Sequence, residues 1–179
     1  MKRVLATALI ASLTASPALA ALKPGDAAPN FTAAATLAGK EFTFKLADAL
    51  KQGPVVLYFY PAAFTKGCSA EAHDFAEATE RFKALGTTVV GISADKIAVL
   101  DKFSTADCQS KFAVAADPEL TVAKSYDAVM AKNPSYADRT SYVISPDGKI
   151  LSTYSSLDPD GHVANTIAAV EKWRTAHKG

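Results

Sequence analysis

A chain of 179 residues, 49% of them hydrophobic, is long enough to bury a core of its own and fits one ordinary domain. Its 19 Lys and Arg against 18 Asp and Glu give a net charge of +1, with no basic stripe and no interleaving of aromatic and basic residues, which argues against a nucleic-acid partner. Beyond the first twenty residues, no stretch is long and apolar enough to span a bilayer, which argues against stable membrane association.

Those first residues read as an export signal. Lys2 and Arg3 form a basic start, VLATALIASL a short apolar core, and SPALA ends on small residues at Ala18 and Ala20. This is the pattern of a secretory signal peptide, 1–20, cleaved after Ala20 and leaving 21–179 as the working domain. The expected location is therefore exported, periplasmic or secreted. In such an oxidising compartment two cysteines could form a structural disulfide.

Ala21 to Asn30 reads as an extended lead-in, because Pro24 and Pro29 forbid a helix. FTAAATL and EFTFKL flank the turn Ala38-Gly39-Lys40, a hairpin signal, and Leu46 to Lys51 reads as a helical turn. Val55 to Tyr60, VVLYFY, is apolar throughout, as a strand covered on both faces requires. From Cys68 to Leu85, Ala72, Phe75, Thr79, Phe82 and Leu85 make a helical stripe, Glu77 and Arg81 can pair at i, i+4, and Gly86 ends the helix. TTVVGIS, Thr87 to Ser93, is a second buried strand. Ile97 to about Cys108 is the next expected helix, Phe112 to Ala115 a short strand, and Pro118 to Tyr126 a helix with proline in its first turn. Lys132 to Asp138 reads as a loop. Ser141 to Ile144 and Lys149 to Tyr154 flank Pro146-Asp147-Gly148, a second hairpin signal, and Val163 to Ala176 closes the chain as a helix.

Strands alternating with helices, then a hairpin and a final helix, predict an α/β layer structure. The expected fold is thioredoxin-like, a mixed central sheet flanked by helices, with an N-terminal β-hairpin extension.

Cys68 stands where a buried strand gives way to a helix. Unsatisfied N–H groups and the positive end of the dipole there favour a thiolate. Gly67 lets backbone come close to a bound group, and the Thr65 hydroxyl can reach the same spot. The residues after Cys68 are Ser69, Ala70 and Glu71, so the C-x-x-C pair of a dithiol exchanger is absent. A lone thiolate is suited to attack a peroxide and become a sulfenic acid.

Here the sequence resembles a family. Pro61-x-x-x-Thr65-x-x-Cys68 is similar to the peroxiredoxin signature, and FYPAAFTKGCSAEA resembles the bacterioferritin-comigratory, or peroxiredoxin Q, subgroup. The likeness continues through TTVVGISAD and RTSYVISPDGKI and runs from about Leu22 to Lys172. It implies a thiol-dependent peroxidase acting on hydrogen peroxide and organic hydroperoxides. Cys68 would be the peroxidatic cysteine, Thr65 a hydrogen-bonding partner of the peroxide, Pro61 a shield against water and Arg139 the stabilising guanidinium. Glu71 would hold the arginine or the first helical turn. If the Ser141–Ile144 strand runs antiparallel to Val55–Tyr60, its start also brings Arg139 beside Cys68.

The chemistry requires no metal or organic cofactor. His73, His162 and His177 lack ligand spacing and read as surface or helix-flank residues. Where many of the subgroup carry a resolving cysteine, five residues after the first, this chain has His73. Cys108 is the remaining candidate, resolving Cys68 as an intramolecular disulfide; a one-cysteine enzyme and a permanent structural disulfide are the competing readings. The implied partner is a thioredoxin-like or other thiol reductant, with the chain a monomer or weak dimer. Two other classes stay open: a thioredoxin-like disulfide oxidoreductase, opposed by the missing C-x-x-C, and a non-catalytic fold relative, opposed by the Pro61, Thr65, Cys68 and Arg139 set.

Overall fold

The computed structural model describes residues 21–177; the expected export signal at 1–20 lies outside them, as do residues 178 and 179. The first hairpin joins β1 (Thr32–Leu37) to β2 (Lys40–Lys45). Ala38 and Gly39 both take positive φ, 54° and 72°, the two-residue turn whose twist suits paired strands. α1 (Leu46–Leu50) is a single turn that buries Leu46 and Leu50. β3 (Val55–Phe59), β4 (Thr88–Ser93) and β5 (Ala113–Ala116) run parallel, while β6 (Thr140–Ile144) and β7 (Ile150–Ser155) run antiparallel to their neighbours. Seven strands form one mixed sheet in the order β2-β1-β5-β4-β3-β6-β7. This is the thioredoxin-like arrangement with its N-terminal hairpin.

Five consecutive buried residues in β3 divide between two cores because strand side chains alternate. Val55, Leu57 and Phe59 enter one apolar cluster with Phe44, Leu46 and Tyr126. Val56 and Tyr58 enter the other, beneath α2 (Lys66–Ala84), α3 (Ile97–Thr105) and α5 (His162–Ala176). The steps β3 to β4 to β5 move the same way across the sheet, so right-handed crossovers place α2 and α3 on one face. Phe75 of α2 stacks on Tyr58 at 4.4 Å between ring centroids and is wholly buried. Gly91 on β4 makes room for that tyrosine: a Cβ there would meet Tyr58 Cζ at 2.7 Å.

Two helix boundaries and one ion pair here differ from expectation. α3 ends at Thr105, so Cys108 lies in the turn beyond it. α4 (Thr121–Ser125) begins after Pro118, because the Asp117 carboxylate accepts the Ala123 N–H at 2.8 Å and the Asp117 carbonyl accepts the Leu120 N–H. Arg81 does not pair with Glu77. It reaches Glu171 of α5 at 2.6 Å, a bond between helices instead of within one.

Candidate active site

β3 delivers the chain to the site, and a tethered loop turns it into α2. The Tyr60 N–H donates to the Ile92 carbonyl at 3.0 Å, and the Ala63 N–H to the Asp95 carboxylate at 2.8 Å. Asp95 is fixed in turn by the Ser93 hydroxyl. Phe64 holds a left-handed φ of 63° and sets its half-exposed ring edge-on to Phe103 at 5.2 Å. Such a conformation costs a non-glycine residue about 1–2 kcal/mol, which the tethers on either side offset. Neither Asp95 nor Phe64 stands out in the sequence, because their partners lie on β4 and α3.

α2 starts at Lys66, so Cys68 is the third residue of the helix rather than its first. Thr65 occupies the N-cap position with extended backbone, but no side chain among the described residues caps the helix. Its hydroxyl donates back to the Ala62 carbonyl at 3.0 Å. The N–H groups of the first turn therefore keep their donor capacity for a ligand. The hydroxyl oxygen, its own proton committed, is left as an acceptor on an exposed residue. Pro61 is half-buried ahead of this turn, and Cys68 itself is 1% exposed.

The β3–β6 pairing sets Thr140 opposite Phe59, which places the preceding Arg139 beside the start of α2. Arg139 Nη2 lies 3.4 Å from Cys68 Sγ. Nη1 donates to Glu71 Oε2, and Nε donates to the Leu157 carbonyl at 3.0 Å. One edge of a 5%-exposed guanidinium is thus turned to the sulfur while the others are held. Gly67 serves this ion: a Cβ would stand 3.1 Å from Arg139 Nη2. Burial works against the charge of Arg139, but Glu71 and Cys68 outweigh it and raise the pKa of the guanidinium above its ordinary value. Burial pushes the Glu71 carboxyl up to about 7 against the pull of Arg139.

His162 stands at a helix flank, as expected, but the structure corrects the reading of it as a surface residue. It begins α5 and is wholly buried, packed edge-on against the Tyr154 ring at 4.7 Å. Nδ1 lies 2.8 Å from Ser141 Oγ and 3.4 Å from Glu71 Oε1, and Nε2 lies 3.0 Å from the Ser156 carbonyl. Its partners sit on α2, β6 and the loop before α5, so no local pattern reveals it. Among the described residues, no three His, Cys, Asp or Glu side chains gather as metal ligands.

Both cysteines are free thiols in one apolar cluster, with Tyr58 and Tyr60. The turn carrying Cys108 is clasped to α2: Ser69 Oγ donates to Asp107 at 3.0 Å, and Gln109 Nε2 meets His73 Nδ1 at 2.9 Å. Gln109 and Ser110 follow with φ of 50° and 59°, two successive left-handed residues. Burial pushes the Cys108 thiol well above its ordinary value, with Asp107 adding to the shift, so in this closed form it is protonated.

A model of the AhpC/TSA family matches residues 24–153. The chloroplastic peroxiredoxin Q of Oryza sativa subsp. japonica is 30% identical over 179 residues, covering 92% of this chain and 80% of its own. The crystal structure of peroxidoxin BcpB from Mycobacterium tuberculosis superposes with a TM-score of 0.76 at 30% identity, covering 84% of this chain and 97% of that one. The crystal structure of Enterococcus faecalis AhpC gives the same TM-score at 22% identity, over 87% and 96% of the two chains, a likeness of fold.

Proposed function

We propose, for a chain that belongs to the AhpC/TSA family and is a thiol-dependent peroxidase, that Cys68 is the peroxidatic cysteine and that Thr65, Arg139 and Pro61 build the peroxide pocket around it. Enzymes of this family reduce hydroperoxides through a cysteine sulfenic acid and are restored by thiol reductants such as thioredoxin. The observation that carries the assignment is the 3.4 Å approach of a pinned guanidinium to Cys68 Sγ, beside an uncapped helix start.

The thiolate attacks the terminal peroxide oxygen. The S–O bond forms as the O–O bond breaks, sulfur is oxidised to sulfenic acid, and the other oxygen leaves as water or an alcohol after taking a proton. Negative charge moves from sulfur to the departing oxygen. Arg139 and the free N–H groups of Gly67 and Cys68 are aimed where that charge develops, so they bind the transition state better than the ground state. Thr65 Oγ accepts the hydrogen of the peroxide and orients it, and Pro61 keeps water from the sulfur.

Cys108 then resolves the sulfenic acid as an intramolecular disulfide: its sulfur displaces the hydroxyl of Cys68, and water leaves. A buried, protonated Cys108 and a helical Cys68 cannot do this in place, so the first turn of α2 and the Asp107–Ser110 turn must open together. A thioredoxin-like thiol reductant returns both thiols. The basic start, apolar core and Ala-x-Ala ending of residues 1–20 support export to the periplasm or beyond, and N-terminal sequencing of the mature protein tests that.

The deciding experiment is peroxide consumption by the reduced protein beside Cys68→Ser, which should lose activity almost wholly. Consumption at the wild-type rate by that variant would sink the assignment. Mass spectrometry after one equivalent of peroxide reads the second step. A free Cys108 beside a sulfinic Cys68 would mean a one-cysteine enzyme, and a Cys68–Cys108 bond that resists mild reductants a structural disulfide.

A further inference from the structure

Glu71 Oε1 is the open end of the site. It is wholly buried, its sister oxygen is taken by Arg139, and it has no hydrogen-bond partner among the described residues. A buried carboxylate oxygen without a donor is costly, and a neutral one needs a lone pair to donate to. The fold sets His162 Nδ1 beside it, 3.4 Å away. The tautomer of His162 follows from its other nitrogen: the Ser156 carbonyl can only accept, so Nε2 carries the hydrogen and Nδ1 is bare in the neutral ring.

We propose that His162 is a positioning residue of the peroxidatic site, whose Nδ1 and Glu71 Oε1 hold one shared proton that decides how strongly Glu71 competes with Cys68 for Arg139. The role rests on Cys68 as the peroxidatic residue. Burial raises the Glu71 carboxyl and holds His162 below its ordinary value, so the proton resides on Oε1 and points at Nδ1. With that proton in place Glu71 is neutral and the charge of Arg139 is left to the Cys68 thiolate. When the proton leaves, a full carboxylate draws the guanidinium toward Oε2, and both the Cys68 thiolate and the charge developing on the departing oxygen lose support. The Ser141 hydroxyl, 2.8 Å from Nδ1, donates to the same bare nitrogen in both states and holds the ring in place. The other groups facing the pair are Asp74 from α2, Tyr58 from β3, Tyr154 from β7 and Asp158 from the loop before α5. Asp74 and Asp158 favour keeping the proton.

His162→Gln separates this role from a structural one. The longer amide reaches the Nε2 position and can keep the bond to the Ser156 carbonyl, but nothing replaces Nδ1. Two rates are followed from about pH 5 to about pH 9: reaction of the reduced protein with hydrogen peroxide, and alkylation of Cys68 by iodoacetamide located by mass spectrometry. Wild type should show an inflection near neutrality from the Glu71 carboxyl. In His162→Gln the inflection should move by about one pH unit or more, with a rate about fivefold lower at neutral pH. A loss by the same factor at every pH, or a profile that superposes on wild type, would overturn the proposal. Alkylation needs no peroxidase turnover, so a wild-type protein inert to peroxide would sink the peroxidatic reading while this test still stands. Should the variant not fold, nitrogen NMR of the imidazole in the wild-type chain decides. The expected result is an Nε2–H tautomer whose Nδ1 signal moves through neutral pH and stays fixed in Glu71→Gln. An Nδ1–H tautomer, or no movement, would overturn it.

Discussion

Arg139 uses every edge of its guanidinium: Nε on the Leu157 carbonyl, Nη1 on Glu71 and Nη2 toward Cys68. A lysine keeps the charge but has neither the planar fork nor the reach to hold three partners at once. Arg139→Lys should therefore lose about 2–4 kcal/mol of transition-state stabilisation, read as kcat/KM for peroxide, with the fold intact. Unchanged kinetics would put the ion outside the reaction. Gly67 gives an opposite pair of effects. Alanine is the better helix former by about 1 kcal/mol, yet its Cβ would stand 3.1 Å from Arg139 Nη2. Gly67→Ala should melt no lower than wild type while reacting with peroxide about tenfold more slowly. A variant equal to wild type in rate would show that the guanidinium yields freely. The meeting of Cys68 and Arg139 was legible because a motif and a strand register both pointed to it. His162 was not, since a histidine at a helix start reads as surface until its three partners are brought together from elsewhere in the fold.

At the scale of elements, the helix carrying Cys68 and the turn carrying Cys108 behave as one clasped unit. Ser69 to Asp107 and His73 to Gln109 tie them side to side. Gln109 and Ser110 hold left-handed backbone that costs each about 1–2 kcal/mol. The turn is therefore poised to open once the clasp is lost. Asp107→Ala removes the bond to Ser69 and should speed formation of the Cys68–Cys108 disulfide after a peroxide pulse, lowering the fraction of sulfinic Cys68. Ser110→Gly should relieve the strain, stabilise the closed form by about 1 kcal/mol and slow the same step. Disulfide rates unmoved by either change would mean that opening does not limit resolution. The sequence placed Cys108 at the end of a helix. Periodicity could not show that the helix stops at Thr105, because two left-handed turn residues without glycine leave no compositional mark.

Across the whole molecule, the sheet was readable from its apolar runs: a strand buried at every position must have a layer on each face, and β3 feeds both cores. What the pattern could not show is that burial of one carboxyl makes the stability of the entire domain depend on pH. Glu71 titrates at about 7 in the folded chain, against 4.5 for an ordinary glutamate. Between those values the native state holds a proton that the unfolded chain has released. Stability from this group is therefore full below about pH 4.5 and is lost as pH rises through about 7, up to about 3 kcal/mol in all. Glu71→Gln isolates the effect. Its amide oxygen can accept from Arg139 while its N–H donates to His162 Nδ1, reproducing the protonated side chain at every pH. Urea unfolding at the acid and alkaline ends of this window should find the variant close to wild type in acid and more stable than wild type in alkali. A constant deficit at both ends would show instead that Glu71 is ionised throughout, and that Arg139 outweighs burial.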